Sequence, residues 1–317
     1  MKIIVPDFVL PVLAARACSL LESCDLVVVG DHGTLQGDPS GAEVVMLPWA
    51  LPVEVTARLV QLPTVRWIHT VTAGVDHVVA ALPGTANVQI TNASGVFDVP
   101  IAETVLAYIL AVAKRIPEFL AQQRAHNWHL LRLRELRDLT VGIIGLGNIG
   151  VAVADRCKAV GMRVLAVRRD PQRKVPGVDH IYAPDSLPDL LGASDFVVVA
   201  VPLTPETRGL VGRAELRRMR ADAWLINIAR GAIVDEAALV DALREGWIGG
   251  AALDVFEEEP LPATSPLWDL PHVILTPHNS WSTPHLRQRE AELFLDNLER
   301  YLRGEPLRNV VDPSRGY

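Results

Sequence analysis

Short runs of Val, Ile and Leu recur along this chain, and nearly every one is followed by enough sequence for a helix before the next run begins. Residues 2–5, 26–29, 43–47, 65–71 and 88–91 make a first series, and residues 140–144, 163–167, 196–201, 223–228, 251–255 and 273–276 a second. Continuous apolar runs of this length suit strands buried on both faces, as in a parallel sheet covered by helices on either side. Parallel neighbours need crossover connections of helix length, and the spacing supplies them. The pattern predicts an α/β protein with two doubly wound parallel-sheet domains. At 317 residues, half of them apolar, the chain also exceeds what one hydrophobic core usually supports.

The two series are joined by a helical stretch from residue 99 to 113, with Asp98 as its N-cap and Pro100 tolerated in the first turn. It is apolar on all sides except at Glu103 and Thr104, so it is expected to lie between packed layers. Pro117 should end or kink it. After Pro284 only one more helix and a short tail remain, too little for a third core, so the chain is expected to return and complete the first unit. The expected boundaries are 1–98 with 287–317 for one domain and 99–286 for a second domain inserted within it.

The formal net charge of -7 is spread without acidic or basic blocks, which gives no electrostatic reason to expect a nucleic acid or an anionic membrane as partner. Cys18, Cys24 and Cys157 show neither a CxxC nor a Cys/His spacing, so no disulfide framework or zinc site is indicated and a reducing cytoplasm fits. Lys2 precedes an apolar stretch, but Pro6 and Asp7 interrupt it, and a buried strand leading into a helix explains the same residues better than a signal peptide. No run of about 20 uncharged apolar residues is present to span a bilayer.

The most specific local signal is Val141-Gly-Ile-Ile-Gly145-Leu-Gly147-Asn148-Ile149-Gly150, a GxGxxG that follows a predicted strand and opens a predicted helix. In that context Gly145 permits the tight turn, Gly147 lets the backbone approach a pyrophosphate, and Gly150 allows the helix to pack closely on the strand. The end of the next strand normally supplies an acidic residue for the adenosine ribose, yet here it reads Arg168-Arg169. A guanidinium pair cannot accept hydrogen bonds from ribose hydroxyls but can grip a 2′-phosphate, which favours NADP(H), with NAD(H) as the alternative. The competing reading leaves both arginines solvated and gives Asp170 to the ribose.

Four further segments, Val201-Pro202-Leu203-Thr204-Pro205-Glu206-Thr207, Asn227-Ile228-Ala229-Arg230-Gly231, Asp254-Val255-Phe256-Glu257-Glu258-Glu259-Pro260 and Thr276-Pro277-His278-Asn279-Ser280, together with the glycine loop, resemble the D-isomer-specific 2-hydroxyacid dehydrogenase family, short forms of the glyoxylate/hydroxypyruvate reductase kind. The resemblance covers nearly the whole chain and includes Val71-Thr72-Ala73-Gly74-Val75-Asp76, which is similar to the family's substrate-carboxylate loop. It implies a Rossmann cofactor domain inserted in a flavodoxin-like substrate domain, and an enzyme that moves a hydride between NAD(P)H and C2 of a small anionic 2-keto or 2-hydroxy acid. It further implies a homodimer through the cofactor domain, with residues 125–136 as a contact segment. No C-terminal regulatory domain of the long phosphoglycerate dehydrogenases is expected after Tyr317.

Carried over by position, the resemblance makes Arg230 the clamp on substrate carboxylate and carbonyl, His278 the general acid/base and Glu259 its partner. The chemistry suits these types: a guanidinium matches a planar carboxylate with parallel hydrogen bonds, and an imidazole can both stabilise a developing alkoxide and give it a proton. Taken singly, Arg230 reads as a surface charge and 257–259 as a solvated acidic loop. Together, all three follow the ends of predicted parallel strands, where ligands of open α/β sheets bind. Among the nine histidines only His278 has that setting, whereas His32 sits in a turn-like Asp-His-Gly. The resemblance also implies cofactor contacts from the backbone of Asn148 and Ile149, from Val201, Pro202, Thr207, Ile228 and Ala229, and from Asp254 near the nicotinamide carboxamide. Backbone N–H groups of Ala73, Gly74 and Val75 would hold the carboxylate opposite Arg230. Trp281, where many members have a small residue, either walls the substrate pocket or packs in the domain interface. A dinucleotide-sensing corepressor and a formate- or phosphite-type dehydrogenase are the alternatives on the same fold.

Overall fold

In the computed structural model, which describes residues 1–16, 24–30, 32–49, 51–75, 78 and 88–312, the aliphatic runs become the strands of two sheets. Cys18, Asp76 and His77 lie outside the described residues. One unit comprises Met1–Phe97 with Thr283–Tyr317, and the other Asp98–Ser282. The second break precedes the expected 286/287 because Thr283 already belongs to the turn that starts the last helix, its carbonyl accepting from the Leu286 N–H at 3.2 Å.

The first sheet contains β1 (Lys2–Pro6), β2 (Asp25–Val29), β3 (Leu35–Gln36), β4 (Ala42–Leu47), β5 (Trp67–Thr70) and β6 (Gln89–Thr91), in the order β3-β2-β1-β4-β5-β6. Its five parallel strands follow the flavodoxin-like order, and β3 is an antiparallel edge addition on β2. A two-residue strand has no periodicity to read, which is why β3 was not among the expected strands. The chain does return: Phe294 of the helix Leu286–Arg303 stacks on Trp67 at 5.3 Å, and Tyr301 does so at 5.4 Å. Ile3, Val5, Val44 and Met46 share that buried layer with Leu295 and Leu298, while Ile4, Val45 and Ile68 face a second layer with Leu59 and Val60. Val310 then pairs antiparallel with Thr91.

The second sheet contains β7 (Thr140–Ile144), β8 (Arg163–Val167), β9 (His180–Tyr182), β10 (Phe196–Val199), β11 (Trp224–Asn227), β12 (Gly250–Leu253) and β13 (Val273–Leu275), ordered β13-β12-β11-β10-β7-β8-β9. All its pairs are parallel. From the β9 side this is the Rossmann order with one strand added. The sequence reading missed β9, whose single aliphatic residue, Ile181, lies between His180 and Tyr182 on a sheet edge. Helix Asp98–Ala113 buries Ile101, Ala102, Val105, Tyr108 and Ile109, and packs against helix Asn148–Ala159. Pro117 is not its terminator. The chain turns at Arg115, with φ of 52°, and Pro117 occupies the first turn of the next helix, Ile116–Arg124, where a missing N–H costs nothing. No described helix is long and apolar enough to cross a membrane.

Candidate active site

Strands that run parallel end at a common edge, so the loops after β7, β8, β10, β11, β12 and β13 gather along one side of the second unit. Strand order reverses between β7 and β10, and the glycine loop follows β7 at that point. Gly145 takes a φ of +103°, and a Cβ on it would lie 2.6 Å from the Ala200 carbonyl oxygen. A Cβ on Gly150 would lie 2.0 Å from the Gly145 oxygen. Gly147, the N-cap of Asn148–Ala159, differs: nothing stands within 4 Å of where its Cβ would be. Gly145 therefore lets the loop pass beside the end of β10, Gly150 lets the helix close on that loop, and Gly147 leaves it open where the helix N-terminus, with Asn148 and Ile149 in its first turn, presents N–H groups. These residues fit a pyrophosphate.

Arg168, half-buried, and Arg169, exposed, follow β8. Asp170, the competing ribose partner, accepts from the Gln172 N–H at 3.1 Å and is engaged in its own turn. The loop after β10 lies close to Arg169: the Thr204 hydroxyl, the Glu206 backbone and the Arg169 charge together hold the Glu206 carboxyl below the usual carboxylate range. In that loop Val201 is half-buried and Pro202 exposed. The Thr207 hydroxyl donates to the Pro202 carbonyl at 2.6 Å and accepts from the Thr204 N–H at 2.8 Å, bonds that shape the turn carrying Val201 and Pro202.

The turn after β11 presents Arg230. Asn227 braces it, accepting from the Ala229 N–H at 3.1 Å and donating to the Arg230 carbonyl at 3.0 Å, while Arg230 Nη1 donates to the Ala229 carbonyl at 2.8 Å. Ile228 is buried beneath. The next residue, Gly231, lies so close to the loop after β12 that a Cβ would sit 1.9 Å from the Phe256 carbonyl carbon. This contact brings the Arg230 turn against the segment that carries Glu259. Glu259 Oε1 accepts from the Phe256 N–H at 2.9 Å, and Oε2 accepts from Nδ1 of His278 at 2.7 Å. An ionised carboxylate can only accept, so Nδ1 carries the proton in this pair. Glu236 supports the same loop by accepting from the Glu257 N–H at 3.2 Å. Burial, and then the charges of Glu257 and Glu258, raise its carboxyl above the usual range.

His278 adopts a φ of 50°. That left-handed conformation costs a residue with a Cβ roughly 1–2 kcal/mol, so its surroundings must impose it. Two residues singled out in the sequence help to do so. Asp254 was placed at the nicotinamide carboxamide, but its side chain is fully buried and accepts from the Thr276 hydroxyl, from the Asn279 N–H at 2.9 Å and from the Ser280 N–H at 3.0 Å. It grips the His278 loop from below. Trp281 donates its indole N–H to the His278 carbonyl at 2.7 Å, so it braces the histidine's own peptide, a use that neither expected alternative contained. Asn227, Gly231, Thr276 and Ser280 stood in the quoted motifs without being given a role, and Glu236 lay outside them with no local signal.

In the first unit the loop after β5 is fixed through its carbonyls. Asn92 donates to the Ala73 oxygen at 2.8 Å, the Thr72 hydroxyl to the Gly74 oxygen at 2.6 Å, and the Ala93 N–H to the Thr72 oxygen at 3.0 Å. Among the described residues no acceptor faces the N–H groups of Ala73, Gly74 and Val75. His69, by contrast, is structural: its Nδ1 meets Thr91 Oγ1 at 2.8 Å, and burial pushes its pKa down to about 3, which keeps it neutral.

Residues 106–280 match the family model described as D-isomer specific 2-hydroxyacid dehydrogenase, NAD binding domain. The chain is 38% identical over 304 residues to a glyoxylate reductase of Thermofilum pendens, an alignment that covers 90% of this chain and 88% of that protein. Among solved structures, a D-isomer specific 2-hydroxyacid dehydrogenase from Xanthobacter autotrophicus Py2 in complex with NADPH and MES is 36% identical with a TM-score of 0.86, covering 100% of this chain and 99% of the other. The NADPH-dependent glyoxylate/hydroxypyruvate reductase of Sinorhizobium meliloti, in complex with NADP and sulfate, is 29% identical with a TM-score of 0.85 and the same coverage.

Proposed function

Because the chain belongs to the D-isomer specific 2-hydroxyacid dehydrogenase family, we propose that it reduces small 2-keto acids of the glyoxylate and hydroxypyruvate class to their 2-hydroxy acids, with NADP(H) preferred over NAD(H). The observation that supports this most directly is the 2.7 Å hydrogen bond between His278 and Glu259 on the strand edge that also carries Arg230 and the glycine loop.

A bound nicotinamide supplies the hydride for C2 of the keto acid. Gly145, Gly147, Asn148, Ile149 and Gly150 hold the pyrophosphate, with Val201, Pro202, Ile228 and Ala229 along the rest of the dinucleotide. Arg230 grips the substrate carboxylate and polarises the C2 carbonyl, which leaves little orientational freedom to lose on the way to the transition state. As negative charge develops on the carbonyl oxygen, the imidazolium form of His278 donates the proton from Nε2 and is left as the neutral Nδ1–H tautomer, which takes that proton back in the oxidative direction. Glu259 keeps the imidazole in the required tautomer and orientation. The enzyme works in the reducing cytoplasm, a reading that rests on the cysteine pattern.

The proposal is tested by following NADPH and NADH consumption against a panel of 2-keto acids. The wild type is expected to prefer NADPH and to turn over glyoxylate and hydroxypyruvate faster than keto acids with bulky side groups. The double variant Arg168→Ala/Arg169→Ala should raise the KM for NADPH by about 10–100-fold, the worth of one or two charge-assisted hydrogen bonds, and leave the KM for NADH within a few-fold. A wild type that prefers NADH, or a double variant with an unchanged KM for NADPH, removes the arginines from the 2′-phosphate.

The second partner proposed is another copy of the chain. Trp128 and Leu130 are 95% and 85% exposed within the segment 125–136, an apolar surface that a monomer has no reason to offer. Light scattering on the wild type should give a dimer mass, and Trp128→Ser/Leu130→Ser should shift it toward the monomer. A monomeric wild type ends this part of the proposal.

A further inference from the structure

The function leaves one sequence feature unused, the polar interruption of the otherwise apolar helix Asp98–Ala113. Thr104 and Tyr108 stand four residues apart, so they share one face of that helix. The single hydroxyl proton of Thr104 is shared, mainly with the Pro100 carbonyl at 3.0 Å and more weakly with the Ser280 carbonyl at 3.4 Å. The Tyr108 hydroxyl meets Thr276 Oγ1 at 2.5 Å. Residues 276 and 280 bracket His278, so one helical face reaches both ends of the loop that presents the proposed acid/base.

The direction of the stronger contact follows from valence. Thr276 has one hydroxyl proton, and it goes to Asp254, whose carboxylate can only accept. The oxygen of Thr276 must then accept from the phenol, so the chain runs from Tyr108 O–H to Thr276 O–H to the Asp254 carboxylate. Tyr108 is nearly buried, and burial, reinforced by the nearby Asp254 charge, pushes its pKa up to about 12. The phenol therefore stays a donor throughout the neutral range. Each donor polarises the next in a chain of this kind, and here the chain ends on the carboxylate that holds Asn279 and Ser280 directly behind the histidine.

We propose that Tyr108 and Thr104 are positioning residues that hold the His278 loop in register from the helix, Tyr108 acting through Thr276 and Asp254 and Thr104 through Ser280. The inference rests on the reading of His278 as the proton donor. Neither residue has to touch substrate or cofactor, so their effect is expected on the chemical step alone.

The test is Tyr108→Phe, which keeps the ring and removes the donor. Its kcat for glyoxylate reduction with NADPH should fall about 10-fold, as for a catalytic group displaced by a fraction of an ångström, while the KM for glyoxylate and the Kd for NADPH stay within twofold. Thr104→Val should give a smaller fall of the same kind, and it reads the clamp at its other end if Tyr108→Phe fails to fold. In a His278→Asn background, Tyr108→Phe should have no further effect, because the residue through which it acts is gone. An unchanged kcat in both single variants, a change confined to KM, or an undiminished effect in the His278→Asn background would overturn the clamp. Wild-type activity in His278→Asn alone would instead overturn the role of the histidine, so the two failures are distinguishable.

Discussion

His278→Asn lowers kcat for keto-acid reduction by about 10²–10⁴-fold, the usual worth of a positioned general acid, while the protein still folds and still binds NADPH. The expectation rests on how the two ring nitrogens are used. Nδ1 donates to Glu259, whose other oxygen is fixed by the Phe256 N–H, so the ring cannot swing without breaking the pair. Nε2 is thereby presented as the one nitrogen able to exchange a proton with substrate. Asparagine is the informative replacement. Its amide can donate to Glu259 much as Nδ1 does, so the carboxylate is not left without a partner, but it has no titratable proton to give. Steady-state kinetics combined with NADPH fluorescence separate the outcomes: the cofactor Kd should hold and kcat should fall. A variant that retains most of its turnover would show that the proton comes from water or from another side chain.

What the sequence revealed, and what it hid, follows from how far each signal reaches along the chain. The strands of both sheets are legible because each is a local run of aliphatic residues, and the glycine loop because its strand–turn–helix context lies within one short segment. β3 and β9 are not, since a two-residue edge and a strand with a single aliphatic residue leave no pattern to read. Pro117 was misread because a proline after a helix and a proline opening the next helix look alike until the turn at Arg115 is known. The site divides along the same line. Arg230, Glu259 and His278 were proposed from motifs, but what holds them was not. Asp254 was read as a cofactor contact because it is a carboxylate at a strand end, whereas its hold on Thr276, Asn279 and Ser280 of the loop after β13 carries no local signal. Tyr108, so far from Thr276 in the chain, carries no local mark of that contact.

Arg230→Ala should lower kcat/KM for glyoxylate by about 10³-fold or more, because one side chain is asked both to orient the carboxylate and to stabilise the charge that grows on the carbonyl oxygen. The more telling variant is Arg230→Lys. If the site needs only a positive charge near the carboxylate, lysine restores most of the activity. If it needs a planar fork, lysine leaves a deficit of about 10²-fold, since an ammonium offers a point charge and no pair of parallel donors. Arg230 Nη1 is tied to the Ala229 carbonyl, its own carbonyl is held by Asn227, and Gly231 presses the turn onto the Phe256 backbone, so the turn is fixed and one guanidinium nitrogen is tethered. A lysine there keeps the turn but has no second nitrogen with which to form a fork. Orientation lost in this way appears in kcat as well as in KM, whereas the loss of uniform attraction would appear in KM alone. A lysine variant with wild-type kcat and a raised KM would therefore reduce Arg230 to an electrostatic anchor and move the polarisation of the carbonyl onto His278.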